Sequence, residues 1–558
     1  MPSILTGANH ATLAELGYSI FGRGEYAAGY FFVKKNPDYR FLLFAGRLCC
    51  ICLLLACFVA AYRYATLFGG KVAGYFMIGL CLFSPYVLGH GHLVAPDAAS
   101  GMFALVSVGC FWRWLRQPNR ENAFIAGIML GLAELTKFTL LIFYPLLVIL
   151  WIIYRFPNIG TKSPVPLRRQ FLHLLLIYAV SLLVINTGYM FEGTGKRLRT
   201  YKFETTLFTG CETLEDVPFY GGNRFDGSGN FIETALGYLP MPLPKNFIQG
   251  IDTQRCDFES GKGSYLRGKW AERGWWYYYL YALLIKTPLG TIGILFLAIY
   301  CTVCLKGYNA DWRDEMVVLL PGIAILAFVS SQTGFSIHSR YVIPALPFFF
   351  LWSCKVARAF TPALRECAPK SSRTVRRIAV TLLAWSVASS LWVYPHSIAY
   401  FNELAAVIPT SEDRNYPKPE QKPTLTVWQK VHRLLDAGPL NGPRHLLDSN
   451  IDWGQDHYRL ERWCARHPEL QGVNADDWYG YPLELTSIPR KSSNGAEPDQ
   501  PRWYAISVNR VYGENGHYRS LLNFTPEVVI GYTTYLYHVP PEQLARVMNL
   551  DAPKEATP

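Results

Sequence analysis

The side chains best suited to chemistry in this chain stand at the ends of long apolar segments. Two histidines and a carboxylate occur together in GHGHLVAPDAAS, and basic side chains occur in GLAELTKFT, LLIKTP and IHSRYVIPALP. Charges at a membrane edge are costly to desolvate, so a group of them on one face indicates a site. The candidates are His90, His92, Asp97, Lys137, Lys286, His338 and Arg340.

Asp97 is the first candidate for proton transfer, because carboxylates and histidines are common general acids and bases. Its carboxylate could equally cap the helix that PDAAS opens, since Asp favours helix N-termini. His90 and His92 could position a substrate or a divalent ion, although an HxH pair at an interface is more often structural. The sequence therefore leaves any cofactor unknown, with a divalent metal as one option.

Phosphate is the ligand that suits Lys137, Lys286 and Arg340, with His338 close to Arg340 in sequence. A guanidinium binds phosphate oxygens in a bidentate geometry, which favours Arg340. The alternative is that these long side chains snorkel to lipid headgroups. Snorkelling explains the two lysines as well as phosphate binding does, and it explains Arg340 less well.

The composition indicates a multi-span membrane protein. Of 558 residues, 51% are hydrophobic and only 17% are charged, and the mean hydropathy is +0.12. These values, with the long apolar runs, are typical of polytopic membrane proteins. The formal net charge of +12 comes from basic residues in loops between apolar runs. That distribution argues against a nucleic-acid-binding surface.

About ten membrane spans are predicted from the apolar runs. The run 122–154 would be far longer than the hydrocarbon core as one helix, so we interpret it as two short helices that meet near residues 136–138. The other predicted spans are 41–62, 72–88, 98–115, 171–190, 277–305, 316–331, 341–356 and 378–394.

The distribution of Lys and Arg then predicts the orientation. With two helices in 122–154, most basic loops, including the connector 355–377, fall on one side, which should be cytoplasmic. The other side receives a long loop, 191–276, and most of the candidate site residues. We therefore expect an extracytoplasmic N-terminal segment (1–40), a transmembrane domain (41–394) and a soluble extracytoplasmic α/β domain (395–558).

Within these parts, several local features are predicted. The long loop should form a partly folded lid, and the tail should contain strands at 444–447, 503–508 and 528–539 and a helix in GQDHYRLERWCARHP. Cys211 and Cys256 share the long loop and could pair in an oxidising compartment. No signal peptide precedes the first span, so we expect a truncated form or an internal start.

Six segments in order resemble the polytopic glycosyltransferases of the protein-O-mannosyltransferase and aminoarabinose-transferase superfamily (GT-C fold), especially bacterial members. They are GHGHLVAPDAA, GIMLGLAELTKFTLLIFYP, GWWYYYLYALLIKTPLG, SRYVIPALPF, HSIAYFNELA and LLDSNIDWGQDHYRLERW, and the resemblance covers about residues 41–539. The last segment contains Asp448, Asp452 and Gln455. We favour a helix-capping role for these residues over a catalytic one.

The resemblance implies transfer of a sugar from a polyprenyl-phosphate donor to a protein or glycolipid acceptor on the non-cytoplasmic face of the cell membrane. Asp97, His90 and His92 would then lie at the reaction centre. The donor phosphate would be bound by the basic candidates, which are Arg340, Lys137, Lys286 and His338.

Two other classes of protein remain open. A lipid or sugar transporter or flippase would place ionisable groups near the midplane of broken helices and often shows repeated halves, whereas here the charges stand at helix ends and no repeat is visible. A non-catalytic membrane scaffold is the second alternative.

Cysteine labelling from outside intact cells tests the predicted orientation. Single cysteines introduced near Asp97 and in the tail should react with an impermeant reagent, and one at position 370 should not, because the basic side should be cytoplasmic. Labelling at position 370 with protection of the tail would reverse the topology.

Overall fold

A computed structural model describes residues 32, 34–155, 165–201, 203, 205–209, 235–412, 435–468, 474–476, 502–514 and 518–539. The described chain is mostly helical. Its α-helices are α1 Tyr39–Gly69, α2 Lys71–Leu82, α3 Pro85–His90, α4 Pro96–Arg116, α5 Arg120–Glu134, α6 Phe143–Arg155, α7 Leu167–Gly188, α8 Thr206–Thr209, α9 Lys245–Ser260, α10 Tyr278–Lys286, α11 Leu289–Cys304, α12 Trp312–Ser331, α13 Leu346–Ser353, α14 Pro362–Cys367, α15 Pro369–Val393, α16 His457–Arg466 and α17 Val508–Val511.

Six helical segments within the described residues are long and apolar enough to cross a membrane, and a seventh qualifies if the bent pair α10 and α11 counts as one. The other predicted spans correspond to helices that are shorter or more polar. The six are Tyr39–Gly69, Pro96–Arg116, Phe138–Arg155, Leu167–Gly188, Trp312–Ser331 and Ser339–Phe360.

These segments differ in how much of their length is buried inside the protein. The most apolar part of Ser339–Phe360 is 83% buried, whereas that of α1 is 11% buried. A helix with an exposed apolar surface is suited to lipid, and a buried one forms the centre of the bundle. Residues 339–360 therefore lie in the packed interior of the bundle.

The break predicted in 122–154 is confirmed. Helix α5 ends at Glu134, and the chain resumes as a 3₁₀ turn, Phe138–Ile142, that leads into α6. Lys137 lies in the break with extended backbone. The break leaves this lysine side chain free to reach a neighbouring helix.

The segment predicted as one span at 277–305 is sharply bent. Helices α10 and α11 meet at an angle of 111°, separated by Thr287 and Pro288. A proline has no N–H to donate and pushes the preceding residue into the extended region, which Thr287 adopts. The bend follows from this one proline.

Residues 362–373 of the basic connector, which we expect to form a loop, are mostly helical instead. They form α14 and the first turns of α15, each of which begins at a proline in the first helical turn. Proline is well suited to that position, because its missing N–H would have no partner in the helix anyway.

The part of the long loop that the structure describes is partly folded. It contains α9 and a hairpin of strands β1 Ser264–Leu266 and β2 Lys269–Ala271. Cys211 lies outside the described residues, so its pairing with Cys256 stays a prediction.

The tail contains a four-stranded sheet in the order β3, β4, β6, β5, with β3 parallel to β4 and the other pairs antiparallel. Two strand predictions and the helix prediction are confirmed, but 444–447 is not a strand, and Arg444 ends a 3₁₀ turn, Gly442–Arg444. The strands are β3 Asn474–Asp476, β4 Arg502–Ser507, β5 Val528–Ile530 and β6 Thr534–Val539.

Asn450 fastens the tail to the helix bundle. Its side-chain amide donates to the Tyr278 hydroxyl at 3.0 Å and to the backbone oxygen of Ile337 at 2.7 Å. Its side-chain oxygen accepts from the backbone N–H of Ser339 at 2.7 Å. Asn450 is 2% exposed, so these bonds form away from water. The tail is therefore continuous with the membrane domain at this point.

Replacing Asn450 with Ala should lower the free energy of unfolding by at least about 2 kcal/mol, because each buried polar group left unpaired costs about 1–3 kcal/mol. Thermal unfolding of the purified protein in detergent measures this. Asn523→Ala, at an exposed tail position, is the matched control and should change little. Equal melting temperatures for the two variants would contradict the fastening role.

Candidate functional site

Asp97 and Lys137 form a buried ion pair. The Lys137 ammonium donates to Oδ1 of Asp97 at 2.5 Å, and the two side chains are 9% and 5% exposed. Asp97 stands in the first turn of α4, whereas the N-cap residue is Ala95 and no side chain caps the helix. The capping alternative for Asp97 is therefore wrong, although the carboxylate still lies at the favourable end of the helix dipole.

Arg340 lies beside this pair. It stands in a 3₁₀ segment, Ser339–Ala345, and its guanidinium carbon is 4.3 Å from the centre of the Trp453 ring and 5.9 Å from that of Tyr341. Asp97 and Arg340 are close enough to interact electrostatically. Among the described residues, however, no carboxylate or carbonyl accepts a hydrogen bond from the Arg340 guanidinium.

Aromatic rings connect these side chains. The Lys137 ammonium is 4.6 Å from the centre of the Tyr341 ring. The His90 ring is 5.9 Å from that of Trp453, and His90 is 5% exposed with no partner for Nδ1 in the described structure. The structure thus brings together four of the predicted site residues, which come from the end of α3, the start of α4, the break after α5 and the 3₁₀ segment.

Two predicted site residues have other roles. Lys286 donates to the backbone oxygens of Ile398, Tyr400 and Asn450 at 2.9, 2.9 and 2.6 Å. Three carbonyls fill the donor capacity of an ammonium, so in this structure the lysine is a structural tie with no N–H left over for a phosphate. His92 Nδ1 is 3.1 Å from the backbone oxygen of Leu88, within its own turn.

His338 forms a small polar group with the tail. Its Nδ1 lies 2.8 Å from the Ser449 hydroxyl and 3.0 Å from Oδ1 of Asp448. Its ring is also 5.7 Å from that of Tyr341. The histidine thus borders the site through Tyr341 and is held from the tail side.

The helix-capping interpretation of the tail motif was wrong. Asp456 is the N-cap of α16 and makes no side-chain cap bond, while Asp452 accepts from the backbone N–H of Gly454 at 2.9 Å and from the Ser507 hydroxyl. Burial raises the pKa of Asp452 to about 6. Gln455 donates to the backbone oxygen of Ile451 at 2.7 Å. The motif is therefore a folded loop.

Trp453 is the site residue that sequence reasoning missed. It follows Asp452 directly in DSNIDWGQD, a motif in which the acidic residues are the more obvious candidates. The usable signal was its position in a resembling segment, but aromatic residues elsewhere in the chain are explained by the membrane interface. Only the folded chain shows that the ring reaches Arg340.

No group of three or more His, Cys, Asp or Glu side chains in the described part of the chain has the geometry to hold a metal ion. The site described here therefore consists of one carboxylate, one ammonium, one guanidinium and one imidazole, lined by aromatic rings. Such a group can exchange protons and bind an anion.

Solved structures give distant matches. The crystal structure of ArnT from Cupriavidus metallidurans bound to undecaprenyl phosphate is 14% identical, with a TM-score of 0.37, and the match covers 92% of this chain and 86% of that one. The apo form is 15% identical, with a TM-score of 0.34, covering 94% and 85%. A search of curated protein sequences gives no match.

Residues 40–189 match the family model described as dolichyl-phosphate-mannose-protein mannosyltransferase. This segment runs from α1 to the end of α7 and contains His90, Asp97 and Lys137. The match shows that this part of the chain is similar to that family.

Proposed function

We propose that this protein is a membrane glycosyltransferase that moves a sugar from a polyprenyl-phosphate-linked donor to an acceptor on the non-cytoplasmic face. The observation that carries the proposal is the Arg340 guanidinium, which is stacked on Trp453 and has no hydrogen-bond acceptor among the described residues. A guanidinium has five N–H donors in a fixed fork that matches phosphate oxygens. Polyprenyl phosphate would supply the missing acceptors.

Charged pairs at the other end of the bundle differ from Arg340. Arg116, at the far end of the helix that begins beside Asp97, pairs with Asp314 at 2.9 Å. Lys355 pairs with Glu315 at 2.7 Å. Those cations have carboxylate partners within the protein. Arg340 and Lys137 share one carboxylate, so the site carries an excess positive charge that favours an anionic ligand.

The family description supports the class of donor. Dolichyl-phosphate mannose is a sugar attached to a polyprenyl phosphate, and the matching segment contains the Asp97–Lys137 pair. The sugar and the acceptor of this chain are not specified by the match. A protein or glycolipid acceptor is consistent with the extracytoplasmic site that the charge distribution predicts.

The chemistry follows from the placement of charge. An acceptor hydroxyl attacks the anomeric carbon of the donor, the bond from that carbon to the phosphate oxygen breaks, and polyprenyl phosphate leaves with an additional negative charge. Arg340 and Lys137 would stabilise that charge, since fixed cations aimed at developing charge lower the barrier. Asp97 would accept the hydroxyl proton.

The ion pair would make donor binding precede proton transfer. While Lys137 is bound to Asp97, the carboxylate remains ionised and is shielded from acceptor protons. A donor phosphate competes for Lys137, because a phosphate oxygen is an equally good partner for an ammonium. Asp97 would then be released to act as a base once the donor is bound.

Arg340→Ala should weaken the binding of a polyprenyl-phosphate donor by about 10-fold to 150-fold, as expected for the loss of a charged hydrogen bond worth about 1.5–3 kcal/mol. Arg340→Lys should recover only part of the affinity, since an ammonium lacks the fork. Titration of the purified protein with undecaprenyl phosphate measures this.

Arg462→Ala is the matched control for that titration. Arg462 also stands over an aromatic ring, 4.3 Å from the centre of Tyr458, but on the exposed face of the tail helix. Donor affinity should be unchanged in this variant. Unchanged affinity in Arg340→Ala as well, with normal folding, would remove Arg340 from the site.

Asp97→Asn should lower sugar transfer by roughly a hundredfold or more while donor affinity does not fall, because Asn cannot accept the proton and Lys137 becomes more available to phosphate. The assay follows loss of a labelled sugar from its polyprenyl carrier in membranes. A melting curve of each purified variant separates chemistry from folding.

Asp314→Asn is the control for burying an amide in place of a carboxylate, since Asp314 is as deeply buried as Asp97 but lies at the opposite end of the bundle. Full transfer activity in Asp97→Asn would leave that carboxylate a structural partner of Lys137. Movement of the intact lipid across the membrane without any transfer would favour a flippase, and neither activity would favour a scaffold.

A further inference from the structure

The loop 448–456 connects the tail to the site and is rigidly built. Asn450 is fixed by the bundle, and Gln455 accepts a hydrogen bond from the backbone N–H of Trp453 at 2.6 Å. Gly454 has a positive φ of 73°, and its N–H donates to Asp452. These bonds define the path of the chain on both sides of the tryptophan.

The Trp453 ring lies between two groups of the site. One neighbour is the Arg340 guanidinium, 4.3 Å from the ring centre, and the other is the His90 ring at 5.9 Å. Trp is the strongest of the aromatic partners for a cation over its face. A contact with the ring uses none of the N–H groups of Arg340, so all of them stay available to a ligand.

We propose that Trp453 is a positioning residue for the donor site, which holds the Arg340 guanidinium in the orientation that receives the donor phosphate. This inference rests on the proposed function. The flexible arginine side chain would otherwise lose rotamer freedom each time the donor binds, and prior immobilisation removes that cost. The tail domain thereby becomes part of the donor site.

The same geometry couples the donor to the docking of the tail. Asn450 and Lys286 hold the loop against the bundle in the position from which the ring reaches Arg340. Any ligand that binds better to the positioned guanidinium must also stabilise the docked tail, because linkage between two equilibria is reciprocal.

A double-mutant cycle tests the inference. Trp453→Leu should weaken undecaprenyl phosphate binding about tenfold, raise the KM for the sugar donor and leave kcat at saturating donor largely unchanged. Trp453→Phe should restore most of the affinity, since a phenyl ring also accepts a cation over its face. In an Arg340→Ala background, Trp453→Leu should have less than about a twofold further effect.

Trp463→Leu is the control, because Trp463 packs within the tail core and is stacked on His467 at 4.3 Å. It should lower the melting temperature without a selective change in donor affinity. Additive effects of the Trp453 and Arg340 substitutions, or unchanged donor affinity in Trp453→Leu, would overturn the positioning role.

A second measurement does not depend on the proposed function. The rate at which phenylglyoxal modifies Arg340, followed by peptide mass spectrometry, should increase in Trp453→Leu and remain near the wild-type rate in Trp453→Phe. An unchanged rate in Trp453→Leu would contradict the contact itself. Accelerated modification, combined with a wild-type protein that binds no undecaprenyl phosphate, would retain the contact and reject the proposed function.

Discussion

A buried ammonium group joins the two parts of this molecule. Lys286 is 5% exposed, and an ammonium at such a position is strongly destabilising unless its protons are bonded. The acceptors are the backbone oxygens of Ile398 and Tyr400, which follow the last helix of the bundle, and of Asn450 in the tail. The requirement of one charge for three acceptors thus fixes the positions of three distant segments.

The candidate site depends on that constraint. Asn450 accepts a hydrogen bond from the backbone N–H of Ser339. Ser339 is the first residue of the 3₁₀ segment that carries Arg340, so the docked loop fixes the start of that segment. The loop also presents Trp453 to the guanidinium. A structural lysine therefore acts on the site indirectly, by determining where the arginine and its aromatic partner meet.

Much of this architecture could be predicted from apolar periodicity and charge. The helices, the break at Lys137 and most of the tail elements were visible because each depends on local sequence. The side chains Asp97, Lys137 and Arg340 were recognisable because charges are rare near apolar runs. The pairing of Asp97 with Lys137, which decides against a capping role, was not visible, since it is a contact between residues 40 positions apart.

The roles that sequence alone did not predict correctly all depend on contacts between distant segments. Lys286 and Arg340 look alike in sequence, as single basic residues beside an apolar run. Only the folded chain shows that carbonyl oxygens accept from Lys286, whereas Arg340 packs on an aromatic ring. Asp452 and Trp453 belong to a loop whose bonds run to segments on both sides. Local propensity carries no information about such partners.

The positions of the helix breaks explain why the site can exist inside an apolar bundle. Backbone that leaves the helix at membrane depth is tolerated only where protein or a polar cavity satisfies its polar groups. Lys137 stands in one break, the 3₁₀ segment of Arg340 forms another, and Pro96 opens the helix of Asp97. Each break removes backbone hydrogen bonds of a regular helix, and each places one charged side chain in the candidate site. The interruptions of the helices and the charges of the site are thus two aspects of a single arrangement, which a bundle of unbroken helices could not provide.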